Sequence, residues 1–465
     1  MRLPPLTILV LALVASGCAS AAAPGTAQSP ATAGPARSPT AAQHTTFAAG
    51  SWDWPVYHHD PGRSGYAAAT PPAGPLSIAW ARPLDGSVYG QPLAIGSLVV
   101  AATEGGSIYG LDRATGAVRW RAHLAPPVRR VDLPCGDIDP LGITGTPVYD
   151  PGTGLVYAVA ETTGYRHILA GVSLADGRVR FIRHIPAPDG HPRFDQQRAA
   201  LALAAGRVYI AFGGLDGDCG PYQGSVVGVP VSGQGPLVSY LVPTAREGGI
   251  WATGGPVIGP GGALYVSVGN GAATNPPFDG SDSVTALSPA LHRTGVFAPA
   301  EWAADNAADL DLGSMAPAVL PSGLILAVGK RGAGYLLDSS RLGGVAGQMA
   351  TAPVCPAYGG PAVRGTVVYI PCEGGGMAAV DTSGHRIHVL WRGPPAAMGS
   401  PVLGGGAIWV TDWDAGTLYQ LDAATGQVRR TIGLGSSLPH FASPSLSGPL
   451  VLVGTRAGVV AVSGA

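Results

Sequence analysis

The sequence predicts an all-β protein, an eight-bladed β-propeller with four-stranded blades, closed by an N-terminal strand. Three observations carry this. Residues 99–120 (VVAATEGGSIYGLDRATGAVRW) recur almost position for position at 408–429 (IWVTDWDAGTLYQLDAATGQVR). A small-residue opening recurs along the chain, and the last unit is one strand short while an unpartnered strand precedes the first.

Each copy of the motif reads as a strand, a short turn, a second strand (SIYGLD or TLYQLD), the turn Asp-x-Ala-Thr-Gly and a third strand. In that turn Asp112 or Asp422 can bond its own downstream backbone, while Gly116 or Gly426 accepts the positive φ that closes the loop. One such hairpin cannot bury its apolar face alone, so the copies must stack on neighbours.

The openings run from Gly90-Gln91-Pro92 and Gly145-Thr146-Pro147, through a third at Arg198 to Leu203, to Gly399-Ser400-Pro401 and Ala442-Ser443-Pro444. They mark eight units. Turn glycines Gly384 and Gly426 lie 42 residues apart, a normal spacing for a four-stranded blade. Units two to four are longer through insertions that read as loops. The last unit ends at Val462 after three strands, and Leu76 to Leu84 can supply the fourth and remove the open edge.

Composition agrees. With 71 Gly, 44 Pro, 46% hydrophobic and only 12% charged residues in 465, the chain favours short strands and many turns. A net charge of −1 offers no basic surface, which excludes nucleic acid as a partner.

The N-terminus bears on the compartment. Arg2 and the apolar run Leu6 to Val14 form an export signal too short to span a bilayer as a helix. It ends in Ala15-Ser16-Gly17-Cys18, which resembles the lipobox of bacterial lipoproteins and implies an acylated Cys18 (palmitate or a similar chain) as the mature first residue. Residues 1–18 are therefore read as signal peptide and 19–50, rich in Ala, Pro, Thr and Ser, as a disordered tether. The expected location is extracytoplasmic, lipid-anchored to the outer face of a bacterial membrane. Residues 52–66, WDWPVYHHDPGRSGY, begin the folded part, 52–465. Adjacent His58 and His59 on an extended segment face opposite ways, so an aromatic clasp is expected there in preference to a metal site.

The repeat GSIYGLDRATGAVRW resembles the tryptophan-docking repeat of pyrroloquinoline-quinone (PQQ) dehydrogenases, and the chain from Trp52 on is similar to PQQ-binding-like propeller proteins. That resemblance is specific for the fold and much less so for activity, because similar propellers also serve as lipoprotein scaffolds in outer-membrane assembly. It implies PQQ and calcium as cofactors of an active member. Asn270, in Val-Gly-Asn-Gly, resembles a calcium ligand, and Glu161 stands beside Thr162, where a glutamate ligand is expected. Lys330 resembles the cation that contacts the quinone, and Trp251 lies near the position of its floor. Asp309 and Asp311 are the nearest candidates for the catalytic base. Gln197 and Arg198 open unit three, where they either enter the central funnel or tie blades together.

With Cys18 assigned to lipid, Cys135, Cys219, Cys355 and Cys372 allow three pairings. The loop that enters a blade and the loop between its second and third strands share one rim. On that ground Cys135 is expected with Cys219, and Cys355 with Cys372, in keeping with an oxidising exterior. The same rim, built from units two to five, holds the long insertions and the polar residues above. The expected function is a ligand-binding or scaffolding lipoprotein whose rim takes a small molecule, glycan or protein partner. A PQQ- and calcium-dependent alcohol or sugar dehydrogenase is the alternative.

Overall fold

A computed structural model describes residues 52–464 apart from Gly375, Ala397 and Met398. The signal segment, Cys18 and the tether lie outside the described residues. Eight small sheets, each built around four antiparallel strands, follow one another along the chain as the blades of a propeller.

Blade one comprises Leu93–Ile95, Leu98–Ala102, Ser107–Asp112 and Val118–His123. Its two middle strands are buried along nearly their whole length, and its outer strand alternates, with Trp120 and Ala122 inward and Arg119, Arg121 and His123 outward. Middle strands are covered by blades on both faces and so read as continuous apolar runs. The outer strand has one wet face and shows the period of two.

The last blade has Ser445–Ser447, Leu450–Thr455 and Gly458–Ser463, and Ser77–Pro83 pairs antiparallel with Gly458–Ser463 from Ser77 opposite Ser463 to Pro83 opposite Gly458. The ring is closed by the strand expected to close it. An N-terminal strand thus completes the sheet begun near the C-terminus, and Gly458–Ser463 is not left as the outer edge.

Four of the eight blade boundaries share one docking device. An aromatic on the outer strand of one blade lies on the turn glycine of the next: Trp80 on Gly116, Trp120 on Gly177, Phe181 on Gly233 and Trp391 on Gly426. The indole N–H groups of Trp80 and Trp120 donate to the carbonyls of Arg113 and Leu174 at 3.0 and 2.9 Å.

Residues 52–66 do more than clasp the surface; they run through the central channel. Trp54 pairs with Ala94 of blade one, Tyr149 N of blade two donates to Pro55 O, and Ile258 N of blade four donates to Pro61 O. Arg63, 3% exposed, donates to Tyr57 O and Leu201 O. His58, fully buried, is bonded to Pro361 O at 3.0 Å and Ser443 Oγ at 3.0 Å. The carbonyl needs a donor, so Nδ1 carries the proton and Nε2 accepts from the serine hydroxyl. Burial first, then Arg63, pushes the pKa of His58 down to about 3 and keeps it neutral. Tyr66–Ala67 then adds in parallel to Val402–Gly404 of blade seven. A short helix, Trp302–Ala308, interrupts the passage from blade four to blade five, and Gly344–Val345 lies parallel against the outer strand of blade four. The repeat pattern announces neither.

Candidate functional site

Entry loops and the loops between second and third strands gather on one rim, and both disulfides lie there, Cys135–Cys219 and Cys355–Cys372. Trp52, the first described residue, packs on Gly448 in a hairpin turn of the opposite rim. The loop-rich rim encloses a cavity of about 540 Å³ at the mouth of the central channel. Beneath it the channel is occupied by the plug: a smaller gap bounded by Tyr57, Gln91 and Ser443 shares Arg198, His440 and Phe441 with the cavity above.

Six of the eight expected non-cysteine site residues of the rim line this cavity: Arg198, Trp251, Asn270, Asp309, Asp311 and Lys330. Lys330 Nζ bridges Asp309 Oδ1 at 2.5 Å and Asp311 Oδ2 at 3.1 Å and lies 6.0 Å from the centre of the Trp251 ring. Asn270 donates its side-chain N–H to Asp309 at 2.7 Å and its backbone N–H to Asp311 at 3.1 Å, while its Oδ1 is sealed from solvent without a donor. Gly269 is required beneath them, because a Cβ there would meet Asp311 Oδ1 at 2.3 Å. Burial raises the pKa of Asp311 against the pull of Lys330. Burial lowers that of Lys330, yet Asp311 and Asp309 outweigh it and hold the ammonium charged.

Glu161 and Gln197 are not brought to the cavity. Glu161 Oε1 accepts from Gln197 N at 2.7 Å, and its other oxygen lies 3.6 Å from His167 Nε2 among side chains that are almost wholly buried. Gln197 Nε2 donates to Ala199 O. The side chains on this blade boundary tie one blade to the next, and the neighbouring Gln196 lines the cavity instead. A shift of one residue in extended chain turns a side chain to the opposite face, the reason Gln196 and Arg198 face the ligand space and Gln197 does not.

The sequence also left unmentioned an aromatic wall. Trp251, Tyr358 and Phe441 lie with ring centres 5.7 to 6.3 Å apart, Tyr358 stacked on Phe441 at 12°. The Arg198 guanidinium stands 5.1 Å from the Phe441 centre. Tyr358 and Phe441 each sit in an entry loop just before a blade opening, which is the signal that could have found them.

The site as folded does not fit a quinone with its cation. The two expected metal ligands, Asn270 and Glu161, are not assembled at one place. Among the described residues no group of three or more His, Cys, Asp or Glu is arranged to hold a metal ion. Asp309 and Asp311 are spent on Lys330. Six carboxylates line the cavity against three basic side chains, an unfavourable field for a quinone that itself carries carboxylates.

Fold and site together define a PQQ-repeat propeller with a loop-rimmed cavity above a plugged channel. The profile of the family described as outer membrane protein assembly factor BamB matches residues 77–267 and 316–432, and the chain belongs to that family. No curated protein matches the chain. Among solved structures, a quinohemoprotein alcohol dehydrogenase from Pseudomonas putida HK5 is similar with a TM-score of 0.69 at 14% identity, over 89% of this chain and 80% of that one. A europium-containing methanol dehydrogenase is similar with a TM-score of 0.69 at 14% identity, over 89% and 98%. BamB from Moraxella catarrhalis is similar with a TM-score of 0.59 at 15% identity, over 83% and 99%. At these identities the likeness is one of fold.

Proposed function

We propose that this chain is an extracytoplasmic propeller lipoprotein, held through Cys18 at the outer face of a bacterial membrane, that binds a ligand or partner on its cavity-bearing rim. The observation that carries the reading is the cavity, a concave space of about 540 Å³ lined mainly by charged and polar side chains, with the rings of Trp251, Tyr358 and Phe441 forming one wall. Membership of the BamB family supports a binding or scaffolding role over turnover. No helix among the described residues is long and apolar enough to cross a membrane.

Two measurements test the reading. A Cys18→Ser variant is expected to leave the membrane fraction, and retention there would place the anchor elsewhere. Cross-linking in cells is expected to capture a partner that is lost when the 214–220 loop and the helical 303–311 insertion are shortened; capture indifferent to those deletions sinks the rim assignment. Quinone-dependent oxidation of an alcohol or sugar is the competing reading, favoured by the convergence of Asn270, Asp309, Asp311, Lys330 and Trp251 on one cavity. Titration with PQQ and calcium is expected to give no saturable binding at micromolar quinone, and dye-linked oxidation of an alcohol or sugar would reverse the assignment.

A further inference from the structure

The cavity has a chemical preference that follows from its walls. Asp137, Asp216, Asp218 and Asp309 stand exposed around its mouth, with Glu247 half-buried and Asp311 buried deeper. Arg198, Arg246 and Lys330 are the basic side chains that face them. Arg246 is paired with Glu247 at 2.7 Å and Lys330 with Asp309 and Asp311, while Tyr222 donates to Asp218 at 2.6 Å. The field is therefore negative even after the internal pairs are formed, and a mouth lined by one sign of charge concentrates ligands of the other.

Below the mouth, Trp251, Tyr358 and Phe441 present ring faces that attract cations. The protein's own cations already use two of them: Lys330 stands near Trp251 and Arg198 over Phe441. Glu247 points the same way, since burial first, and then Asp218, Asp311 and Asp309, hold its pKa above the usual carboxylate range against Arg246.

We infer that the rim cavity binds a small organic cation, an amine or guanidine, with the mouth carboxylates steering it inward and the aromatic wall of Trp251, Tyr358 and Phe441 receiving its charged end. This rests on the rim being the binding face and names the ligand class it takes. A ligand of that class donates without accepting, matching a lining in which six carboxylates face three basic side chains; the buried Nε of Arg198 is a donor on that lining without a partner. Tricarboxylates and other small anions meet the opposite field.

The test uses the full chain and agmatine, which carries one ammonium and one guanidinium, with citrate as the anionic counterpart, by isothermal titration. Agmatine is expected to bind saturably at one site per chain, more weakly as salt is raised, because the mouth groups are exposed and screened. Trp251→Ala is expected to weaken it about tenfold and Trp251→Phe much less. The exposed pair Asp137→Asn with Asp216→Asn leaves the folded core untouched and is expected to weaken agmatine and flatten its salt dependence. The inference is overturned by citrate binding as tightly as agmatine, by no agmatine binding at millimolar concentration, or by binding that neither variant changes. Partner capture through the rim loops would survive each of those results, so the two readings fail separately.

Discussion

Glu104 shows how much chemistry the propeller hides between blades. It is 1% exposed, and its Oε2 accepts from Gly142 N at 2.6 Å across the boundary of blades one and two, while Oε1 has no partner. Burial pushes its pKa from 4.5 up to about 8. A raised carboxyl means that the folded state holds a proton the unfolded chain has lost. The stability this group contributes is whole below pH 4.5 and is lost as pH rises through about 8. Asp195 and Asp282, both raised by burial to about 9, act in the same sense. Melting temperature is therefore expected to fall between pH 5 and about 8.5, and Glu104→Gln, which keeps an acceptor for Gly142, should visibly flatten that slope. A variant with an unchanged slope would show that Glu104 is charged in the fold. Nothing at position 104 announces this, since a Glu after a strand reads as a surface turn.

At the scale of elements, the docking of outer-strand aromatics on turn glycines was legible in outline and exact in consequence. The repeated Asp-x-Ala-Thr-Gly turn and Trp120 could be read as parts that build and dock blades. Which glycine each ring would meet could not be read, because ring and glycine belong to different repeats. Gly177 has φ +69° and a Cβ there would meet Trp120 at 2.7 Å, so strain and collision act together. Gly177→Ala is expected to destabilise by about 1–3 kcal/mol, measured by urea unfolding. Loss below about 0.5 kcal/mol would mean that the blades slide to accommodate the methyl group. The cysteine pairs were readable for a related reason, as loop position on a rim follows from strand count alone. Cys135–Cys219 spans 84 residues and ties the loop before blade two to the loop in blade three that borders the cavity.

The whole molecule depends on closure. Among the described residues Ser77–Pro83 is the only strand that joins the last blade from outside its own repeat, and the plug ahead of it bonds to blades one, two, three, four, six, seven and eight. A chain beginning at residue 69, lacking the plug but keeping the closing strand, is expected to remain a monomer with a lowered melting temperature. A chain beginning at residue 85 exposes the edge of Gly458–Ser463 and is expected to associate, since an unpaired apolar edge templates pairing with another chain. Light scattering of the two truncations separates these outcomes, and a monomeric 85–465 chain would show that closure is dispensable.

By itself the sequence determined the architecture: eight units, four strands each, a borrowed closing strand and two disulfides on one rim. Those features follow from local periodicity and from turn chemistry, both of which are written in consecutive residues. It also identified Trp251, Asn270, Asp309, Asp311 and Lys330 as worth watching. Only the tertiary structure decided which of these meet, that Glu161 and Gln197 face a blade boundary, that residues 52–66 fill the channel, and that Tyr358 and Phe441 complete an aromatic wall. The physical reason is that a propeller cavity is assembled from loops of different repeats. Which side chains share it depends on how each loop turns at the rim, a one-residue matter that no repeat period encodes.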